Sequence, residues 1–244
     1  MTALHLHGDL WIGGAPLIRN LALDMLAGQW SCLLGPSGVG KSTIARLIAG
    51  LPGPYRLDGV LTSLDAAPLL GRVAMMAQDA QLLPWADLVR NVTIGARLRG
   101  ARPDTVRART LLAAVGLAGL EARRPAELSG GQCQRVALAR ILIEDCPVVV
   151  LDEPFSALDT VTRLAMQDLA ARVLTGRTVI VITHDPLEAI RLSDRAWLLG
   201  ADGAERLELP AAATPRDYRA VDTLAAQAAL LTRLFEPQHA QCAG

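Results

Sequence analysis

A layered α/β fold around a mainly parallel sheet is what this 244-residue chain predicts, on three observations. Apolar strand-like runs alternate with helical patterns, the arrangement of strands joined by crossover helices. Two of those runs, VVVL at 148–151 and VIVI at 179–182, are apolar throughout, as strands covered on both faces must be. A glycine-rich loop, GPSGVGKST at 35–43, separates one strand run from the helix that follows it.

Along the chain, ALHLHG (3–8) alternates as a strand does, with His5 and His7 on one side of it; they read as strand surface rather than a metal pair. QWSCLLG (29–35) is a second strand run and leads through the glycine loop into a helix at Lys41–Ala49. The compact stretch from Lys41 to Gln78 predicts a short antiparallel strand region and ends in the strand run GRVAMMAQ (71–78). From about Asp79 to Glu127 helix follows helix, the clearest at Asp104–Val115 with Gly116 placed to stop it. A helix at Gly131–Ile143 precedes the strand run PVVVLDE (147–153), and another at Val161–Leu174 precedes RTVIVITH (177–184). A short helix at Leu187–Leu192 and the weaker strand RAWLLG (195–200) follow. The tail ends in an amphipathic helix at Val221–Phe235, too short for a second domain. This reading makes 1–244 one domain: a core of 1–78 and 128–200, an inserted helical subdomain at 79–127, and a tail at 201–244.

Composition narrows the function classes. Hydrophobic residues make up 51% of the chain, yet charges interrupt every apolar stretch. The longest clean run, Leu111 to Leu120, is about half of the ~20 residues that a membrane-spanning helix needs. The opening MTALHLHGDL lacks the basic-then-apolar order of a signal peptide. A cytosolic chain whose surplus apolar surface docks onto a partner is expected. With 24 basic and 24 acidic side chains, nothing electrostatic calls for nucleic acid. The four cysteines (Cys32, Cys133, Cys146 and Cys242) form no CxxC pair, so neither a disulfide framework nor a zinc site is expected.

Gly35-Pro36-Ser37-Gly38-Val39-Gly40-Lys41-Ser42 matches GxxxxGK[ST] between a strand and a helix. Glycines permit positive φ, so successive N–H groups can curl around phosphate oxygens, and the helix directs its positive end at the same anion. Lys41 is the only lysine; every other cation is arginine. A compact ammonium fits such a nest where a planar guanidinium, which seeks a bidentate partner, does not. Ser42 is the expected magnesium ligand, and Thr43 a cap or phosphate contact.

The strand run PVVVLDE ends in two adjacent carboxylates, whose roles separate where the chain turns. Asp152 is assigned to magnesium through water and Glu153 to polarising the attacking water, the division that phosphoryl transfer needs. Pro154 keeps Glu153 out of helical geometry. His184 ends the next core strand, where its ring can reach toward a γ-phosphate. Leu128-Ser129-Gly130-Gly131-Gln132 opens a helix with Ser129 as its N-cap, a second anion site in the same chain.

These motifs, in this order, resemble the ATP-binding cassette family, the nucleotide-binding subunits of ABC transporters, over roughly Leu4 to Gly200. By that resemblance GPSGVGKST is Walker A, Gln78 the Q-loop glutamine and magnesium contact, LSGGQ the signature, and VVVLDE Walker B. SALD, ending in Asp159, is the D-loop and His184 the switch histidine. Trp11 resembles the aromatic that stacks on adenine; strand packing is its plainer reading. Cys133 departs from the family, which commonly carries a larger polar or basic residue there. The family implies ATP and Mg2+, and a head-to-tail dimer in which each signature completes the other subunit's Walker A site.

The chain carries no fused membrane domain, one cassette and no long heptad insertion, which leaves a separate ATPase subunit serving transmembrane permease subunits and, indirectly, a solute-binding protein. It would sit peripherally on the inner face of the cell membrane. LLPW at 82–85 with a short helix after it resembles the branch importing nitrate, sulfonates, taurine and thiamine precursors; packing inside the helical segment is the plainer reading of Leu82, Leu83 and Trp85. The alternatives are a soluble ATPase of a non-transport complex and the ATPase subunit of an exporter.

Overall fold

The computed structural model describes residues 3–240, with side chains through residue 234; Cys242 and the last four residues of the tail lie outside it. Two sheets form. The larger has the order β5-β6-β7-β3-β8-β9. Its strands are β3 (Trp30–Leu34), β5 (Val73–Met76), β6 (Val148–Asp152), β7 (Thr178–Thr183), β8 (Arg195–Gly200) and β9 (Gly203–Leu207), parallel except for the β8–β9 hairpin. The smaller, antiparallel sheet has the order β2-β1-β4, from β1 (Leu4–Ile12), β2 (Ala15–Met25) and β4 (Tyr55–Ser63).

The helices are α1 (Lys41–Ile48), α2 (Leu88–Val92), α3 (Ile94–Leu98), α4 (Thr105–Ala114), α5 (Gly130–Ile143), α6 (Thr160–Val173), α7 (Pro186–Leu192) and α8 (Val221–Ala240). None among the described residues is long and apolar enough to cross a membrane. Every residue of β3, β6 and β7 is buried, because alternate side chains enter different cores. Val148, Val150, Ile180 and Ile182 pack with α1 and the leucines of β1 and β2. Val149, Leu151, Val179 and Val181 pack with residues of α2 and α4 through α8. Each such side chain contributes roughly 1.5–3 kcal/mol on burial, so the central strands are held from both faces. Leu230 of α8 is buried in the second core, and buried Arg216 donates to the carbonyls of Ile190, Ser193 and Pro210, fastening the tail to the body.

The first strand run belongs to the antiparallel sheet and not to the parallel one that helix alternation implies. No helix separates β1 from β2: Gly13 (φ 55°) and Gly14 (φ 85°) turn the chain directly back. Two successive positive φ values are what a two-residue hairpin turn requires. β4 is the antiparallel strand region expected between Lys41 and Gln78, whereas β2 and β9 escape the sequence reading because their faces are partly exposed and their apolar residues are diluted by polar ones. Where β1 crosses β4, Gly8 faces Gly59. A Cβ on Gly59 would lie 2.1 Å from the His7 carbonyl oxygen, so the two backbones approach closely only without side chains. Gly59→Ala is expected to cost about 1–3 kcal/mol, read as a lower urea midpoint at unchanged slope; an unaltered midpoint would refute the close-approach argument.

Candidate functional site

Strands β5, β6, β7 and β3 lie side by side and run the same way, so their C-terminal ends form one rim. Gln78 lies two residues past β5, Asp152 closes β6, His184 directly follows β7, and Gly35 directly follows β3. Ligands of open parallel sheets bind outside such carboxyl ends. Four adjacent strands span only about 14 Å at ~4.8 Å spacing, so residues up to 149 positions apart in sequence share one small edge.

The 35–43 loop is shaped for an anion. Gly38 and Gly40 hold φ of 84° and 111°, and a Cβ on Gly40 would sit 2.9 Å from the Leu17 side chain. The side chains of Asp87, Asp104, Ser129, Asp159 and Asp185 cap α2, α4, α5, α6 and α7. Gly40, at the N-cap of α1, has no side chain to offer, and no acidic residue sits in the first turn. The N–H groups opening α1 are left for a ligand. Lys41, only 5% exposed, folds back so that Nζ donates to the carbonyls of Gly35 and Pro36, each at 2.8 Å. Burial lowers its pKa, and the nearby charges of Glu153 and Asp152 oppose that.

Ser42 Oγ donates to Asp152 Oδ1 at 3.1 Å, joining the loop to the end of β6. Burial raises the Asp152 pKa; the Ser42 bond acts the other way and the charge of Glu153 adds to the rise. Serine hydroxyl, carboxylate and glutamine amide are all hard oxygen donors, a set that suits Mg2+. Glu153 takes φ 47° with its N–H bonded to the Ile182 carbonyl at 2.8 Å. The proline after it disfavours right-handed helical geometry, as expected, and the chain adopts the left-handed region, uncommon for a residue with a Cβ. The result is convergence on one atom: Gln78 Nε2 and His184 Nδ1 each lie 3.3 Å from Glu153 Oε2.

The 128–132 segment, expected as a second anion site, stands apart. Ser129 Oγ accepts from Gln132 N–H, Gln132 Oε1 accepts from Ser129 N–H, and no hydrogen bond among the described residues joins this capping box to the 35–43 loop. Gly130 faces open space, whereas a Cβ on Gly131 would meet Thr162 Cγ2 at 2.8 Å. Asp159 is engaged as the cap of α6, accepting from Val161 and Thr162 N–H, both at 3.1 Å. Trp11 lies half-buried on β1 with Arg56 of β4 stacked 5.4 Å from its ring centroid. It pairs with Pro16, the neighbour of the Leu17 that abuts Gly40. Pro36, Ser37 and Gly38 form the exposed tip of the loop, while Val39 and Thr43 are partly covered.

The sequence profile described as "ABC transporter" matches residues 18–156. The chain belongs to the ABC transporter family. An aliphatic sulfonates import ATP-binding protein of Rhodococcus jostii is 44% identical over 227 residues, 92% of this chain and 89% of that protein. Its counterpart from Agrobacterium fabrum is 47% identical over 197 residues, covering 78% and 73%. A dimeric bacterial ABC transporter cassette of known structure superposes with a TM-score of 0.70 at 28% identity, covering 89% of this chain and all 100% of that one.

This ABC cassette also uses residues that carry no sequence signal. From α5, Gln134 donates to the Gln78 carbonyl at 3.3 Å, and Arg140 donates to the carbonyls of Ala80 at 2.6 Å and Gln81 at 2.9 Å. The helix opened by LSGGQ thus grips the backbone of residues 78–81. Arg163 joins Asp185 to the Leu158 carbonyl, tying the loop before α6 to the one after β7. Bonds to main-chain carbonyls leave no residue pattern, because every residue presents one.

Glu188, buried on α7 near His184, accepts from Thr183 Oγ1 at 2.6 Å. Burial, its largest influence, pushes its pKa up to about 7 from an ordinary 4.5. Between those values the folded chain holds a proton that the unfolded chain has released, so stability falls as pH rises from 4.5 through 7. The loss is on the order of 3 kcal/mol. Glu188→Gln keeps an acceptor for Thr183 without the charge, and its urea midpoint should fall less between pH 5 and pH 8. An identical fall in the variant would contradict the assignment.

Proposed function

We propose that this ABC chain binds and hydrolyses ATP to energise uptake of small solutes of the sulfonate, nitrate, taurine or thiamine-precursor type, through separate membrane subunits. The convergence of Gln78 and His184 on one Glu153 oxygen is the observation that carries this reading. A carboxylate held there by two neighbours, beside a lysine-bearing phosphate cradle, is equipped to orient and deprotonate water. Aliphatic sulfonates lead among the solutes because the relatives at 44% and 47% identity carry that name.

In this reading Gly35 to Thr43 wrap the phosphates, and Lys41 leaves the carbonyls of Gly35 and Pro36 to meet the β- and γ-phosphates. Ser42 and Gln78 directly, and Asp152 through water, hold the Mg2+ that neutralises phosphate charge. Glu153 takes the proton of the attacking water, His184 contacts the γ-phosphate, and Trp11 stacks on adenine. Ser129, Gly130, Gly131, Gln132 and Asp159 serve the site of a second copy packed head to tail, which gives the isolated capping box a ligand. Residues 79–127 form the subdomain that meets the membrane subunit. Its Trp85 is 69% exposed, on a loop pinned by fully buried Asn91, which bonds Leu83, Ala86 and Asp87 backbone groups. The chain would then lie at the inner face of the membrane, with a solute-binding protein acting beyond the permease.

Glu153→Gln should reduce ATP turnover by at least a hundredfold while nucleotide still binds, measured as phosphate release beside equilibrium binding; normal turnover would sink the assignment. Lys41→Arg preserves charge yet should weaken ATP binding at least tenfold, since the guanidinium does not fit the nest; equal affinity would show that charge alone suffices. Co-purification with an integral membrane subunit supports the importer reading, and association with DNA or ribosomes instead would overturn it.

A further inference from the structure

A second cluster of chemistry-bearing side chains lies on the outer face of the antiparallel sheet, at the end away from the nucleotide loop. His5 and His7 occupy alternate positions of β1 and therefore share a face. The register sets His5 opposite Asp24 of β2 and His7 opposite Ala22. Alanine leaves room for the Asp24 carboxylate to lean across toward His7. Oδ1 of Asp24 consequently meets His5 Nδ1 at 2.5 Å and His7 Nε2 at 2.8 Å. All three ligand atoms lie within 4.8 Å of one another. Two imidazole nitrogens and a carboxylate oxygen this close form a ligand set once both nitrogens give up the protons they share with Asp24, and Leu4, Leu6, Leu23 and Met25, all buried, fix the strands that carry it.

We propose that His5, His7 and Asp24 bind a divalent cation of borderline softness, with Zn2+ as the representative ion. Imidazole and carboxylate donors match zinc at bond lengths near 2.0–2.2 Å, and Mg2+ is disfavoured because it demands oxygen ligands. Three protein ligands on a half-exposed face leave positions for water, so the site takes up and releases its ion readily. Arg195 donates to the Asp24 main-chain carbonyl at 3.2 Å and steadies that end of β2. From His5 to Trp11 the strand runs about 20 Å, which separates this site from the nucleotide rim. The ion would pin β1 to β2 across the sheet that flanks the phosphate loop.

The test is isothermal titration of ZnCl2 into the untagged full chain without nucleotide, in the presence of millimolar Mg2+. One Zn2+ per chain with micromolar affinity is expected, together with a rise in melting temperature. His7→Ala removes a half-exposed ligand, and Asp24→Asn removes the carboxylate charge. Each should weaken Zn2+ at least tenfold and abolish the melting shift, while the zinc-free far-UV spectrum and Mg-ATP affinity stay unchanged. Absence of binding at 100-fold molar excess of zinc, or unaltered affinity in both variants, would overturn the proposal.

Discussion

The hydrogen-bond ladders joining β5, β6, β7 and β3 run parallel and in register, and the place of every rim residue follows from them. Leu151 pairs with Met76 and Val181, and Leu33 pairs with Ile182. A slip of one residue in any ladder would turn a buried face toward the wrong core and carry Asp152 or His184 off the edge. The apolar side chains that fill both faces exclude such slips, because each displaced valine or isoleucine would lose packing worth roughly 1.5–3 kcal/mol. The cores are therefore the device that aligns the chemistry.

Charge is concentrated where those ladders end. Lys41 and Asp152 are nearly buried and Glu153 is half-buried, an arrangement that is costly to desolvate unless partners are supplied. Here the partners are local. Loop carbonyls hold the ammonium, Ser42 holds Asp152, and Gln78 and His184 hold Glu153. These contacts are all of a kind that phosphate or water can replace. The grip of Gln134 and Arg140 on the backbone of residues 78–81 adds a mechanical connection.

Much of this was legible along the chain. VVVL and VIVI announce buried strands because no polar residue interrupts them, and GPSGVGKST announces its loop because positive φ at 38 and 40 requires glycine. Asp152, Glu153 and His184 were each readable as strand-end residues, and Gln78 through the family resemblance. The small sheet was harder. APLIRNLALDM carries its apolar residues at uneven spacing, since it holds an extra residue between Ile18 and Leu21, opposite Gly8 to Leu10 of β1. Arg140 and Gln134 gave no signal, because their targets are main-chain atoms. His5 and His7 were visible as a pair on a strand, but Asp24 lies 17 residues farther on, and its meaning depends on a hairpin whose register no local pattern states.

The sequence by itself determined the local conformations: which runs are buried strands, which glycines must bend the loop, and where the helices start. It did so because propensity and burial act over a few neighbouring residues. Only the tertiary structure decided that Gln78, Glu153 and His184 meet at one oxygen, that β1 leaves the parallel sheet, and that Asp24 stands between two histidines. Those are outcomes of strand pairing between distant segments, where register and direction come from packing across the whole core.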